Sequence, residues 1–372
     1  MKNKYFINFI QGYFKSLHDF SKDENPYLHP FQIACNLNYK CIAIVNQGYD
    51  ILKTDPHLEK HIEVIEFKNY FQYILLLFRF GFRSIFYKTI FYTNGHTSWQ
   101  YITIIIAKIF SFGRIKNIFM AHTQPKRGGL GNSNLKQFIQ NKILFNFFVD
   151  RVRLNNITEK NFLLIQGVKE NKLFIVPLVV DNHIFNKIND YEDRQDLLYF
   201  GQLSKKKNIN TILKATKILK ERNREYKNIK LNIIGKIAED YDINRDILDL
   251  DLKENIIIHG FMKQGPELNN LMNKFLISIN SSKDEGQCLT VFESAMSGCS
   301  LCLPNIMSFV DVFKNKALFH YIHDAEKLSE NILFYLENKN LSKEYNEKCI
   351  EMIKKDYNVD IIKEKMRELF IF

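Results

Sequence analysis

Two glutamates and a row of lysines are the residues of this 372-residue chain best suited to chemistry. Glu285 and Glu293 stand eight positions apart. Before them runs the apolar stretch 275–280, and across Glu293 the residues Val291, Phe292, Ala295 and Met296 recur at helical spacing. The apolar stretch reads as a buried strand ending in small polar residues, and Gly298 as the stop of the helix. Glu285 is therefore expected in a strand-to-helix loop, and Glu293 in the first turn or so of the helix. In open α/β sheets ligands bind in that crevice, outside the carboxyl ends of the strands. The helix start offers unpaired N–H groups and a partial positive charge of about half a unit, which suits a phosphate. Earlier in the chain, residues 197–201 end in Gly201, and Gln202, Leu203, Ser204, Lys205, Lys206, Lys207 and Asn208 lead into a helix at 211–222. A strand ending in glycine and a lysine-rich loop feeding a helix form, by their physics, a phosphate-binding arrangement. His122 directly follows the apolar run 115–121 and opens a loop with Lys126, Arg127, Gly128 and Gly129. Each feature also has a plainer reading. Helix starts favour acids anyway, lysines at a helix entrance are often only solvated, and a loop histidine need have no task.

The elements that would hold these residues alternate strand and helix, as a doubly wound α/β chain requires. Strands are expected at 5–10, 41–45, 61–67, 90–93 and 115–121, with helices at 30–37, 70–82 and 99–110, the last capped by Ser98. Residues 12–26 read as a polar loop, and 186–196 as a polar, charged linker. Beyond it, strands are expected at 231–235 and 256–261 and helices at 325–336 and 357–370. Asp249-x-Asp251 lies at an acidic helix end before a strand and reads as solvated surface. The length suits two domains, each with its own core, and the boundary is drawn at 180/181.

Composition narrows the class. The chain is 46% hydrophobic and 25% charged, ordinary for a globular protein. No leader is expected, because Gln11 and Gly12 interrupt the first apolar run. No apolar run is long enough to span a bilayer; the densest, 70–82, contains Gln72 and Arg79. The six cysteines show no disulfide framework, and Cys299-x-x-Cys302 lacks the further ligands of a zinc site, so a reducing cytoplasm is expected. The net charge of +11 is uneven: residues 67–149 hold eleven Lys and Arg, no Asp or Glu, and 20 of the 51 aromatics. A single-sign, aromatic-rich stretch is a surface for anions.

The two glutamates and the small-residue helix resemble the signature of retaining GT-B glycosyltransferases, closest to family four, the glycosyl transferases group 1. Three further runs fit the same family in the same order. Pro177 to Asp181 and Phe185 resemble its interdomain junction, with Leu178 and Val179 in place of the usual Asn-Gly. Gly201 to Asn208 resembles its diphosphate loop, with Gln202 at the arginine position, Lys207 at the lysine and Asn208 at the glycine. His259-Gly260-Phe261 resembles the element beside the nucleotide base. The resemblance covers most of residues 150–320 and more loosely 1–150. It implies two Rossmann-like domains facing across a cleft: an acceptor-side domain at 1–180 and a nucleotide-sugar domain at 181–356. The helix at 357–372 would pack back on the first.

Carried over, the family roles put Glu285 at the donor sugar and Glu293 at the ribose, while Gln287, Cys288, Leu289 and Thr290 offer backbone amides to sugar and diphosphate. Lys207 would hold the diphosphate, helped by Lys205 or Lys206 because Gln202 cannot pair as arginine does. Gly201, Gly260 and Phe261 would line the donor site, and His122 would reach the donor sugar. The implied activity is metal-independent, retaining transfer of a hexosyl group from a UDP- or GDP-type sugar to a glycan or lipid-linked acceptor, in cell-surface polysaccharide or glycolipid synthesis. No cofactor is implied beyond that co-substrate. The basic, aromatic first half suggests a peripheral position on the inner face of an anionic membrane. Three alternatives stay open. A GT-B epimerase would want carboxylates near His122. A catalytically silent sugar-nucleotide binder would fit Gln202. A nucleic-acid binder would fit the charge, but no RRM, helix-turn-helix or zinc pattern supports it.

Overall fold

The computed structural model describes residues 4–10, 29–46, 61–94, 98–121, 141–239 and 241–372. The chain divides into two compact units, residues 1–178 with 360–372 and residues 179–359.

The first unit is built on seven strands: β1 Lys4–Ile10, β2 Lys40–Asn46, β3 Ile62–Phe67, β4 Lys88–Asn94, β5 Lys116–Met120, β6 Arg151–Leu154 and β7 Leu173–Ile175. They lie in the order β3-β2-β1-β4-β5-β6-β7, and every pair is parallel. The order reverses at β1, between β2 and β4. Helices Tyr70–Arg83 and Ser98–Phe110 pack side by side, with the Phe78 and Phe110 ring centroids 3.7 Å apart. Phe370 returns from the chain end to this unit and packs on Phe6 and Tyr39.

The second unit holds β8 Gln195–Phe200, β9 Leu231–Ile234, β10 Ile256–Gly260, β11 Phe275–Ile279, β12 Ser300–Pro304 and β13 Leu318–His320. Their order is β10-β9-β8-β11-β12-β13, again all parallel. Alternate residues of β8 enter opposite cores: Leu197 and Tyr199 join one, and Leu198 the other. A parallel sheet covered on both faces needs apolar side chains pointing both ways, which explains why all five residues of β11 and of β12 are buried.

Helix Lys339–Asp356 has no counterpart in the sequence reading. Its buried stripe is Ser342, Asn346, Cys349 and Ile353. The spacing is helical, but half the stripe is polar, so no apolar periodicity announces it. The polar positions bond instead. Asn346 donates to the Ala295 and Cys299 carbonyls, both at 2.9 Å, and so anchors the end of the helix that carries Glu293.

Candidate active site

In the second unit the strand order reverses at β8, between β9 and β11, and the candidate residues gather at the carboxyl ends of β8 and β11. That is the switch point where open α/β sheets bind ligands. Two loops leave these strands and are stitched together. Ser281 Oγ donates to the Asn208 carbonyl at 2.7 Å, Asn208 Nδ2 donates to the Ser281 carbonyl at 3.2 Å, and Lys283 N donates to the Lys206 carbonyl at 3.0 Å. Across the seam, Lys207 Nζ lies 2.5 Å from Glu285 Oε1. Their side chains are 20% and 10% exposed, so water screens the pair little. Burial opposes the Lys207 charge, yet its pKa is raised by Cys288 and Glu285. Burial pushes the Cys288 thiol up to about 11, so at neutral pH it is uncharged. The Glu285 carboxylate is thus what keeps the ammonium charged.

The lysine turn works with asparagine where the family has glycine. Asn208 sits at φ 55°, ψ 40°, a left-handed conformation that glycine adopts freely and asparagine better than most residues. Helix Leu289–Met296 then starts beside β8, close enough that a Cβ on Gly201 would lie 3.7 Å from Thr290 Oγ1. Cys288 is the N-cap residue, and its Sγ lies 3.3 Å from Thr290 Oγ1. The amides of Leu289 and Thr290 belong to the first turn, where N–H groups have no intrahelical acceptor.

A second group continues along the same edge of the sheet. Gly235 N donates to the Gly260 carbonyl at 2.8 Å, and Gly201 N to the Ile234 carbonyl at 2.9 Å. A Cβ on Gly235 would stand 1.9 Å from the Gly201 carbonyl oxygen, so the close approach of β8 and β9 needs glycine there. Phe261 is half exposed, with Lys236 Nζ 4.4 Å from its ring centroid. Glu293 is buried, accepts from Gln264 Nε2 at 2.7 Å, and is pushed by burial up to about 8.

The structure therefore brings Gly201, Lys207, Glu285, Cys288 and Thr290 together, with Gly260, Phe261 and Glu293 farther along the edge. Gln202 and Lys206 lie exposed in the β8 loop. Gln287 and Leu289 flank Cys288 in the chain. His122 lies outside the described residues. Sequence reading missed Lys236 and Gln264. Lys236 follows Gly235 directly, so a glycine-plus-cation strand end could have signalled it; nothing local singles out Gln264, which only the tertiary fold sets against Glu293. Among the described residues no three His, Cys, Asp or Glu side chains group as metal ligands.

Two parallel doubly wound units, one with a charged pair and a helix start at its switch point, define the class: a GT-B glycosyltransferase fold. Solved structures share it over nearly the whole chain. Anabaena Alr3699/HepE in complex with UDP has a TM-score of 0.74 at 15% identity, covering 99% of each chain. A glycosyltransferase from Rickettsia africae ESF-5 has a TM-score of 0.74 at 17% identity, again covering 99% of each. Sucrose-phosphate synthase (tll1590) from Thermosynechococcus elongatus has 0.73 at 12% identity, covering 99% of this chain and 98% of its own. No curated protein matches in sequence. Residues 180–356 match the model of the family described as glycosyl transferases group 1. Over that second unit the chain is similar to the family, and its class is that of a glycosyltransferase.

Proposed function

We propose that the protein moves a hexosyl group, with retention and without a metal, from a UDP-type sugar nucleotide to a glycan or lipid-linked acceptor in cell-surface polysaccharide or glycolipid synthesis, working at the inner face of a membrane. The observation that carries this reading is the Lys207–Glu285 pair at the switch point, beside the start of helix Leu289–Met296. A nucleoside diphosphate leaves with negative charge developing on its phosphate, and catalysis needs fixed positive charge there. An ammonium has three N–H donors; one of those on Lys207 meets Glu285, which leaves others for phosphate oxygens. Glu285 in turn accepts from sugar hydroxyls and holds the sugar over the phosphate. The anomeric C–O bond to the phosphate breaks, the acceptor oxygen bonds to the same face, and the leaving phosphate takes the acceptor proton. Glu293 accepts the ribose hydroxyls, and Phe261 stacks beside the base. Lys236 supplies a cation near the position where Gln202 replaces the family's arginine. Binding of UDP and UDP-glucose by Alr3699/HepE favours a uridine donor.

Donor hydrolysis and transfer are assayed across UDP- and GDP-sugars, with and without EDTA. Turnover of one UDP-sugar that survives chelation is the expected result. Loss in EDTA, restored by manganese or magnesium, counts against the metal-independent mechanism, and no turnover of any donor counts against the enzyme reading.

A further inference from the structure

Five neighbouring strands of the first unit begin with or next to a cation. In sheet order these are Lys40 on β2, Lys4 on β1, Lys88 on β4, Lys116 on β5 and Arg151 on β6. Lys4 is in register with Lys88, and Lys40 with Tyr5. Adjacent strands lie about 4.8 Å apart, and the starts step along the edge, with Lys116 opposite Ile90 and Arg151 opposite Ile118, so the crowding centres on Lys88. Burial, and after it Lys4, Lys116 and Arg151, lower the pKa of Lys88. The acids nearby among the described residues include Asp150, already held by Lys108 at 2.6 Å and Lys116 at 3.4 Å, and Glu368, whose charge acts on Arg151. Arg151 is pinned to the Glu368 and Ile371 carbonyls.

The same edge carries exposed aromatics. Helix Tyr70–Arg83 runs out just before β4, and helix Ser98–Phe110 just before β5. The last turn of the first helix and the turns that follow both helices present Phe82, Phe86 and Phe112, exposed to 63%, 61% and 82%. Phe112 is held at φ 49°, a conformation that costs an L-residue of this bulk on the order of 1–2 kcal/mol. An aromatic that is both strained and exposed gains nothing within the isolated fold, and such strain points to a task. Arg83, in contrast, is committed to the fold, with its guanidinium 4.0 Å from the centroid of the Tyr5 ring.

We propose that this amino-terminal edge of the first sheet docks on an anionic lipid bilayer, with Lys40, Lys4 and Lys88 at the headgroups and Phe82, Phe86 and Phe112 inserted among them. The chemistry is that of interfacial anchoring, in which apolar burial and attraction to anionic lipid add. A soluble polyanion would use the lysines and leave three exposed rings without a task. The inference rests on the membrane-side reading above and names the surface that serves it.

The test is flotation of the full chain with phosphatidylcholine vesicles, alone or containing phosphatidylglycerol. Donor hydrolysis is measured without vesicles on the same preparations. The wild type floats with the anionic vesicles only, and less as salt rises. Lys40→Gln/Lys88→Gln lowers partitioning about thirtyfold, at roughly 1 kcal/mol per cation. Phe112→Asn, which suits the left-handed position, lowers flotation while the melting temperature holds or rises. Equal flotation with both vesicle types, no flotation, or flotation unchanged in both variants overturns the inference. So does tight binding to soluble polyphosphate without flotation. Donor hydrolysis without flotation leaves the glycosyltransferase reading standing alone, and flotation without hydrolysis leaves the docking surface alone.

Discussion

An ammonium and a carboxylate in contact, both largely out of water, make each side chain depend on the other. Removing one partner of a buried pair leaves the other uncompensated, at a cost of about 3–5 kcal/mol when burial is complete. Lys207→Ala and Glu285→Ala are each expected to lower transfer by on the order of a hundredfold or more. The double variant Lys207→Met/Glu285→Gln should be more stable than Lys207→Met alone and remain inactive. Near-normal turnover in either alanine variant, measured at saturating donor, would show that these residues do not carry the reaction. Glu293 makes a different prediction. Its folded pKa of about 8 lies above the ordinary carboxylate value because the group is buried. The folded state therefore keeps a proton that the unfolded chain loses. The stability this lends is fully present below about pH 4.5 and is lost as pH rises through about 8, a change on the order of a few kcal/mol. Glu293→Gln should flatten that slope in denaturant titrations across the same window. If the carboxylate accepts ribose hydroxyls, UDP should bind more tightly as pH rises through about 8 and release a proton as it binds. Calorimetry in buffers of different ionisation enthalpy reads that proton; binding without proton release would remove Glu293 from the ribose site.

At the scale of elements, the site depends on two turns of unusual backbone. The lysine turn hands over to helix Ile209–Arg222 through Asn208 in the left-handed region. Asn208→Gly keeps that conformation and loses only the bond to the Ser281 carbonyl, while Asn208→Val should lose both and disturb Lys207. Donor affinity is therefore expected to fall little in the first and strongly in the second. The contact between β8 and β9 is tighter still. Gly235→Ala forces a shift where the Gly201 carbonyl stands, costs about 1–3 kcal/mol as overpacking does, and should weaken UDP binding. A crystal structure of that variant with strand ends unmoved would refute the argument.

Across the whole molecule, the last residues of the chain complete the first unit. Phe370 is buried against Phe6 and Tyr39, and Phe370→Ala should cost about 3–5 kcal/mol. Hydrogen exchange should then quicken in β1 and β2 and stay unchanged in β8 to β12. Equal quickening in both sheets would mean that the two units do not unfold separately.

The sequence alone determined the class of each sheet and the position of the chemistry in the chain. Apolar runs such as 275–280, too short for a buried helix and bounded by small polar residues, read as buried strands, and the spacing of Glu285, Glu293 and the lysines survives any detail of packing. Residue order also carried the family resemblance, including the departure at Gln202. What it could not express was which side chains meet across distant loops. The Lys207–Glu285 contact needs β8 and β11 to be neighbours, a fact of strand order. The Gln264–Glu293 bond joins a loop to a helix with no common pattern, and helix Lys339–Asp356 is held by asparagine and serine bonds that periodicity does not register. The row of cations shows the same limit. Lys4, Lys40, Lys88, Lys116 and Arg151 are scattered over the first 151 residues, and only parallel pairing, which sets all strand starts along one edge, brings them together.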